Sequence, residues 1–349
     1  MDIGVGLDAN LNLSLDEQAQ LSEEAARLGY TSIWTPEGTG QDSFQLCGHR
    51  WEASRKVAPE GLATGIAVSP VMYRTPMAFA MSGGTLSQRT GGKFFMGIGT
   101  GSAYRPRSRR ALGLKKFSAL ALMRDYLTTI RQLVAGESVD YEGEVVTLQG
   151  ASLAIDPAPN TPVYLGALGP EMLRLAGETA DGVCLNWCNP ERIAWSRERI
   201  VEGVSKANRD PSEVKMVQYI RVCIDDDVTA ARQAYAKATM GYALGAQVPT
   251  DRERQLGYRA HFERMGHTEE LAGLDQMRER GASQDEVAAA FTDELLQDVG
   301  YYGPAEGAAE TFKRVSQGLD TAVVRVVAAR PGLDPILAAM RACQPALTK

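Results

Sequence analysis

The chain has 349 residues, of which 44% are hydrophobic and 23% charged, and these values are ordinary for a folded, water-soluble protein. A net charge of −6 at pH 7 disfavours a general role in binding nucleic acid or anionic membranes. No stretch resembles a membrane span, and the first residues lack the basic and apolar regions of a secretory signal.

Short apolar strands alternate with amphipathic helices along the chain. The first strand is predicted at 3–9, and the first helix begins after Ser14, where Glu17 completes a capping box, and ends at Gly29. Further strands are predicted at 31–35, 62–69, 93–99, 162–167, 182–187, 214–224 and 321–329. Further helices are predicted at 76–88, 118–134, 170–179, 190–207, 227–243, 304–317 and 333–343.

Eight strands, most of them followed by a helix, predict an α/β fold of the (β/α)8 TIM-barrel class rather than an open Rossmann sheet. Two segments do not fit the bare barrel. Residues 136–161 contain YEGEVVTL and predict a hairpin excursion, whereas residues 244–300 are polar and predict a helical insertion. We therefore expect one domain over 1–349, with its site in the loops at the carboxyl ends of the strands.

The loop after the second strand contains Thr35, Pro36 and Glu37. A carboxylate that directly follows an apolar strand is a candidate general acid or base, so Glu37 is the catalytic candidate and Thr35 a candidate ligand contact. An exposed loop carboxylate without a catalytic role is the alternative.

Glycines mark the ends of the next three strands, where backbone can approach a ligand closely. The candidate contacts are Gly65, Ile66 and Ala67 after strand three, Gly99, Thr100, Gly101 and Ser102 after strand four, and Gly166, Ala167, Leu168 and Gly169 after strand five. Gly169 can occupy the N-cap of a helix whose first residue is Pro170, which leaves free amides for an anion. Packing glycines and an ordinary tight turn are the alternatives.

A basic run follows strand four. Six basic residues fall within 12 positions: Arg105, Arg107, Arg109, Arg110, Lys115 and Lys116. Cations at the start of a helix oppose its dipole, so structure alone does not favour them there. The run is either a site for a polyanion, with Arg105 and Arg107 as candidate contacts, or a solvated helix start.

Asn186 and Trp187 follow strand six, where Asn186 could bond the edge of a heterocycle and Trp187 could wall a ring pocket. Core packing is the alternative for Trp187. The five cysteines are scattered and odd in number, which suits a reducing cytoplasm, and no metal site is predicted because HExxH and paired CxxC motifs are absent. His261 and His267 in the insertion are interpreted as lid or surface residues.

Several of these segments resemble one family. The run YLGALGPEMLRLAGETADGVCLNW, the N-terminal GLDANLNLSLDEQAQLSEEAARLGYTSIWTPE and the segment from GLATGIAVSP to MGIGTGS are similar to the luciferase-like monooxygenase superfamily. Within it, they most resemble the F420-dependent branch that includes methylenetetrahydromethanopterin reductase and F420-dependent glucose-6-phosphate dehydrogenase. The resemblance covers most of the chain outside about 244–300.

The resemblance implies a barrel that holds a flavin or deazaflavin in its mouth. It implies a non-proline cis peptide at the end of strand three, here Gly65–Ile66, that backs the ring. Phosphate contacts are implied at Gly99–Arg107 and Gly166–Gly169. The basic run could also meet the oligoglutamate tail of coenzyme F420, which FMN lacks, so F420 is the preferred cofactor and FMN the alternative. A homodimer is implied as well, with Met72, Tyr73, Phe79 and Met81 as core or dimer surface.

The chain departs from the sugar-phosphate dehydrogenases of this branch. Pro36-Glu37 and Ser102 stand where those enzymes have an Asp-His pair and a Glu, so that activity is not expected. We predict a cytoplasmic F420-dependent oxidoreductase that transfers a hydride between the deazaflavin C5 and a C=C, C=N or C=O group of a small molecule. An FMN-dependent monooxygenase and a non-catalytic barrel that has lost its cofactor are the alternatives.

Overall fold

The computed structural model describes residues 1–101, 106–156, 161–245 and 257–348. Contacts within the chain divide it into two compact units. One unit consists of Gly4–Leu185 and Ser196–Val217, and the other of Met1–Ile3, Asn186–Trp195 and Gln218–Lys349. The expectation of a single domain over 1–349 stays a prediction.

The larger unit is built from parallel strands connected by helices. Neighbouring strands pair in the order β1-β2-β3-β4-β7-β8, with Val5 opposite Ile33 and Leu165 opposite Val183. These strands are β1 (Asp2–Gly6), β2 (Ser32–Thr35), β3 (Ala63–Pro70), β4 (Phe94–Gly99), β7 (Val163–Gly166) and β8 (Gly182–Asn186). The helices are α1 (Leu15–Arg27), α2 (Ser43–Ser54), α3 (Pro76–Thr90), α4 (Pro106–Ala111), α5 (Ala119–Val134), α6 (Pro170–Thr179) and α7 (Pro190–Lys206). An antiparallel hairpin of β5 (Val139–Glu142) and β6 (Thr147–Ala151) follows α5.

The other unit contains β9 (Lys215–Ile224), β10 (Gly300–Gly303) and β11 (Thr321–Val326), with β9 between the other two strands. Its helices are α8 (Val228–Ala243), α9 (Gly257–Phe262), α10 (Thr268–Glu279), α11 (Gln284–Ala289), α12 (Asp293–Asp298), α13 (Ala308–Val315), α14 (Asp334–Ala342) and α15 (Pro345–Thr348). A buried apolar cluster that includes Trp187, Tyr235 and Phe262 joins α8 to the helices of the insertion. No helix in the described ranges is long and apolar enough to cross a membrane.

The eight predicted strands are all present, and the (β/α)8 class is confirmed. The hairpin lies inside the predicted excursion, and the described part of the insertion is helical, as expected. The elements that were not predicted include α2 and β10. Nine of the twelve residues of α2 are buried, so its sequence shows no polar face, and β10 is a short GYYG segment with a glycine at each end.

Glycines in the larger unit make room for a buried tryptophan. Trp34 of β2 lies opposite Gly65 of β3, and a Cβ atom on Gly65 would come within 2.3 Å of the Trp34 ring. On Gly4 of β1 a Cβ atom would lie 2.8 Å from the same ring. Phe95 of β4 stacks on Trp34 with ring centroids 5.3 Å apart. Gly65 is therefore a packing glycine.

We expect Gly65→Ala to lower the free energy of unfolding by about 1–3 kcal/mol, because the added methyl group overpacks the Trp34 site. Gly38→Ala is the matched control, since no atom lies within 4 Å of its Cβ position. Denaturant unfolding followed by tryptophan fluorescence measures both. Equal stability of the two variants would show that the ring moves aside freely.

Candidate functional site

The end of β3 carries a bulge. Ile66 pairs with Met96 and Ser69 pairs with Ile98, so Ala67 and Val68 together stand opposite one residue of β4. The Ala67–Val68 peptide bond is cis, and both residues are partly exposed. The predicted cis bond at Gly65–Ile66 is therefore wrong by two residues. Gly65 and Ile66 are buried inside the regular strand, where the glycine serves the Trp34 ring.

Alternate glycines of β4 make space for this bulge. A Cβ atom on Gly97 would meet the Ile66 carbonyl oxygen at 2.0 Å, and one on Gly99 would meet the Val68 side chain at 2.7 Å. Gly101 has a φ of +54° and faces Pro70, which a Cβ atom would approach to 2.9 Å. The GIGTG pattern thus has a packing role, which was the alternative to ligand contact.

The loops after β7 and β4 also border the bulge. A Cβ atom on Gly166 would lie 3.1 Å from the Val68 side chain, so this glycine too makes room for Val68. Ala167 is buried and its amide donates to the Cys184 carbonyl, whereas Leu168 and Thr100 are partly exposed. Direct cofactor contacts by these loop residues stay predictions.

Helix α6 begins as predicted, with Gly169 at the N-cap and Pro170 in the first turn. Gly169 is in an extended conformation, and its side-chain position faces open space. The amides of the first turn are consequently placed to receive an anion. Ser102 and Arg105 lie outside the described residues, and for Arg107 only its position in α4 is described.

Glu37 ties the loop after β2 to the bulge. Its amide donates to the Val68 carbonyl at 3.2 Å, and its carboxylate Oε2 accepts a hydrogen bond from the Ser69 hydroxyl. The Ser43 amide donates to the other oxygen, Oε1, at 3.2 Å. Glu37 therefore bonds both to the backbone of the bulge, at Val68, and to the side chain of the residue that follows it, Ser69.

Arg74, which follows β3, pairs with the same carboxylate in a bidentate geometry. Its two terminal nitrogens lie 2.6 and 2.7 Å from the two Glu37 oxygens, and one of them also donates to Asp42, the N-cap of α2. The guanidinium lies over the Phe44 ring at 4.9 Å. Burial acts to lower the pKa of Arg74, but its hydrogen bonds to Glu37 and Asp42 outweigh burial and raise that pKa.

These contacts indicate a positioning role for Glu37. Its side chain is only 3% exposed, and each carboxylate oxygen already accepts two hydrogen bonds. A carboxylate whose two oxygens already accept four hydrogen bonds has little capacity left to exchange a proton with a substrate. The predicted acid–base role of Glu37 stays a prediction, while the geometry favours a structural ion pair.

A cavity of about 330 Å³ lies between the loops after β1 and β2. Its walls are Asp8, Ala9, Asn12, Leu13, Gln18, Thr35, Pro36, Gly38, Gly40, Gln41, Leu46 and Arg50. Arg50 is 2% exposed and donates to the Leu7 carbonyl at 2.9 Å and to the Gln18 side chain at 2.8 Å. The carboxylate residue Asp8 is 4% exposed. Thr35 is also buried, and its hydroxyl donates to the Pro36 and Leu7 carbonyls.

Sequence reasoning missed four of these residues. Asp8 lies two residues after the end of β1, as Glu37 does after β2, but the strand predicted over 3–9 includes Asp8, so it was not recognised as a loop carboxylate. Arg50 lies in α2, and Asp42 is the N-cap of this helix. The sequence of α2 shows no polar face by which the helix could be detected. Arg74 follows β3 without a recognisable motif, and only the structure brings it to Glu37.

Two predictions in the other unit are wrong. Trp187 is fully buried among Tyr235, Tyr242 and Phe262, so it is a core residue rather than the wall of a ring pocket. His261 is also buried, 2.8 Å from the Trp187 carbonyl oxygen, and is neither a lid nor a surface residue. Trp187 is covered by Tyr235 and Tyr242 of α8 together with Phe262 of the insertion, and His261 packs against the Trp187 backbone in the same cluster.

Asn186 belongs to a polar group beside this core. Its side-chain oxygen accepts from Arg221, and its amide nitrogen donates to the Tyr258 hydroxyl at 2.6 Å. His267 is partly buried with its Nε2 3.3 Å from Asp298. The predicted contact of Asn186 with a cofactor stays a prediction.

Comparisons with known proteins agree with this architecture. The model of the family described as luciferase-like monooxygenase matches residues 2–322. The 5,10-methylenetetrahydromethanopterin reductase of Methanolobus tindarius is 28% identical over 320 residues, which cover 91% of this chain and 90% of the reductase. The chain therefore belongs to the luciferase-like monooxygenase family of enzymes.

Two solved structures share the fold. The coenzyme F420-dependent tetrahydromethanopterin reductase from Methanopyrus kandleri superposes with a TM-score of 0.75 at 20% identity, covering 99% of this chain and 97% of that one. An F420-dependent secondary alcohol dehydrogenase in complex with an F420-acetone adduct gives a TM-score of 0.75 at 15% identity, covering 100% and 99%.

We expect Glu37→Gln and Arg74→Met each to lower the free energy of unfolding by about 3 kcal/mol, because each leaves a partner charge buried. The double variant should lose less free energy of unfolding than the sum of the losses in the two single variants. Denaturant unfolding of all four proteins gives the coupling energy. Lys56→Met, which breaks an exposed pair with Glu23, should change stability by less than about 1 kcal/mol. Additive effects of Glu37 and Arg74 would contradict the ion-pair assignment.

The buried His261 predicts a pH effect on stability. Burial lowers the pKa of His261 to about 3, well below its ordinary value of 6.5. The unfolded chain therefore takes up a proton between pH 6.5 and 3 that the folded chain does not. As the pH is lowered through this range, the free energy of unfolding falls by up to about 1.4 kcal/mol per pH unit. Between pH 7 and pH 4, the melting temperature of the wild type should decrease more than that of His261→Gln. Parallel pH curves for the two proteins would contradict this.

Proposed function

We propose that this protein is an F420-dependent oxidoreductase that transfers a hydride between the deazaflavin and a small organic molecule. The observation that carries the proposal is the partly exposed bulge at Ala67–Val68, for which glycines of β4 and β7 leave room. Two structural neighbours whose names specify F420, each aligned over nearly the full chain, support the choice of cofactor.

The described residues fit such a cofactor at two places. Ala67 and Val68 offer a partly exposed apolar backing for a flat ring. The open N-cap of α6 at Gly169 offers amides for a phosphate. The basic run that begins at Arg105 would contribute cations for an acidic tail. When bound, F420 would supply or take up a hydride at C5.

The protein residues have supporting roles in this proposal. Glu37 and Arg74 fix the bulge, so that the backing of the ring is preorganised before anything binds. The nearby cavity gives space for a substrate. A cytoplasmic homodimer remains part of the proposal. Met81 of α3 is 55% exposed, consistent with a dimer surface, whereas Phe79 is fully buried core.

Titration of the purified protein with F420 and with FMN tests the choice of cofactor. We expect F420 to bind at least about tenfold more tightly, because the basic run can pair with the acidic tail that FMN lacks. Quenching of cofactor fluorescence gives both dissociation constants. Tighter binding of FMN would favour the monooxygenase alternative, and failure of both to bind would favour a barrel without a cofactor.

The tail contribution is separated by the double variant Arg105→Ser/Arg107→Ser. This variant should weaken the binding of F420 much more than the binding of a deazaflavin that lacks the oligoglutamate tail, since only F420 presents the added carboxylates. Lys93→Ser, which removes an exposed cation at the start of β4, is the control. An equal loss of affinity for both ligands would contradict a binding site for the tail.

A further inference from the structure

A chain of hydrogen bonds with a fixed direction ends at Tyr258 of α9. Arg221 of β9 donates to the side-chain oxygen of Asn186, the last residue of β8. The Asn186 amide nitrogen donates in turn to the Tyr258 hydroxyl oxygen at 2.6 Å. Because a guanidinium can only donate hydrogen bonds, the Asn186 oxygen must face Arg221 and its nitrogen must face Tyr258. The Tyr258 oxygen is therefore an acceptor in this chain, and its own hydrogen points away from Asn186.

The hydrogen of the Tyr258 hydroxyl has no acceptor among the residues that the structure describes. Tyr258 is partly exposed, so a ligand can reach this hydrogen from outside the protein. Burial raises the pKa of Tyr258 to about 12, which keeps the hydrogen on the oxygen at neutral pH. Tyr258 therefore offers a hydrogen-bond donor whose orientation is set by the protein.

The surface next to this hydroxyl is aromatic. The Tyr242 ring meets the Tyr258 ring edge to face, with ring centroids 4.7 Å apart and an interplanar angle of 84°, and Tyr242 is also partly exposed. On its other side, Tyr242 contacts the buried Trp187 ring, with centroids 5.4 Å apart. Such a supported pair of rings favours a ligand with a flat apolar frame.

Two guanidiniums lie close to the Tyr258 hydroxyl. The charges of Arg221 and Arg325 both act to lower the pKa of Tyr258, against the larger effect of burial. Each guanidinium already bonds within the protein, Arg221 to Asn186 and Arg325 to the Tyr242 hydroxyl at 3.4 Å, so neither is offered as a direct ligand. Their charges act through space and favour negative charge on an acceptor atom beside the hydroxyl.

We propose that Tyr258, oriented by Asn186, binds the carboxylate of a small molecule whose flat apolar frame contacts the Tyr242 ring. Tyr258 is the binding residue, and Asn186 is a positioning residue that acts through it. The helical insertion thereby acquires a ligand-binding role, because it carries Tyr258 on α9. The assignment concerns binding alone and stands apart from the proposed F420 function.

Benzoate and nitrobenzene test the site in the full chain without cofactor, because the two molecules have nearly the same shape and differ in charge. Ligand-observed NMR titration gives both dissociation constants. We expect benzoate to bind at least about tenfold more tightly, since a hydrogen bond to a charged acceptor is about twice as strong as one to a neutral acceptor. In protein labelled with 13C at the tyrosine Cζ atoms, benzoate should also shift the Tyr258 resonance, which Tyr258→Phe identifies by its absence.

Tyr258→Phe should lose about tenfold in affinity for benzoate and less than about threefold in affinity for nitrobenzene. Tyr301→Phe is the matched control, because the Tyr301 hydroxyl is also partly buried but donates to the Pro304 carbonyl at 2.6 Å. This control should bind both probes like the wild type. The proposal would be overturned by a wild type that does not bind benzoate, by equal or tighter binding of nitrobenzene, by an unshifted Tyr258 resonance, or by wild-type benzoate affinity in Tyr258→Phe.

Asn186→Asp tests the orientation of the hydroxyl. An aspartate at this position accepts hydrogen bonds from both Arg221 and Tyr258, so the Tyr258 hydrogen turns inward although the hydroxyl is retained. We expect benzoate affinity to fall at least about tenfold, and Tyr258→Phe to add less than about twofold when it is combined with Asn186→Asp. The added charge repels benzoate in the single and the double variant alike, so it cancels from this comparison. Losses of affinity that multiply in the double variant would overturn the positioning role of Asn186.

Discussion

The hydrogen bonds of Glu37 hold together the part of the molecule on which the rest of the site depends. Its amide and its carboxylate bond to consecutive residues, Val68 and Ser69, and Arg74 closes the arrangement from the following loop. A bulge with partly exposed backbone would otherwise be free to relax, because its residues leave the ladder of β4. Charged hydrogen bonds in a nearly buried site are well suited to fixing it in one position.

Packing from the other side completes this constraint. Gly99 and Gly166 leave room for the Val68 side chain, and Gly97 leaves room for the Ile66 carbonyl. A larger side chain at any of these positions would push the bulge outward. The glycines therefore act on a ligand through β3, by setting the height of the surface that a ring would meet. This division of roles explains why a glycine-rich strand end borders the site although its glycines face protein atoms.

Much of the fold could be predicted from the sequence because hydrophobic periodicity is a local signal. The strands and most helices of the βα units follow it, and the capping box of Ser14 and Glu17 appears as expected. Helix α2 has no such signal, since it is buried on nearly all sides. Position within the site was harder to predict. Gly65 and Gly99 mark close approach, but the sequence does not tell whether the neighbour is a ligand or a side chain of the protein, here Trp34 for Gly65 and Val68 for Gly99. The burial of Trp187 similarly depends on Tyr235 and Phe262, which lie more than 40 residues further along the chain, and His261 contacts the Trp187 carbonyl across a comparable separation.

The central claim is that the Ala67–Val68 bulge backs a deazaflavin ring. A crystal structure of the protein soaked with F420 tests it most directly. The account predicts the ring in van der Waals contact with Ala67 and Val68, the phosphate at the first turn of α6, and the Glu37–Arg74 pair intact. A ring bound elsewhere, with the bulge covered by side chains of the protein, would contradict it.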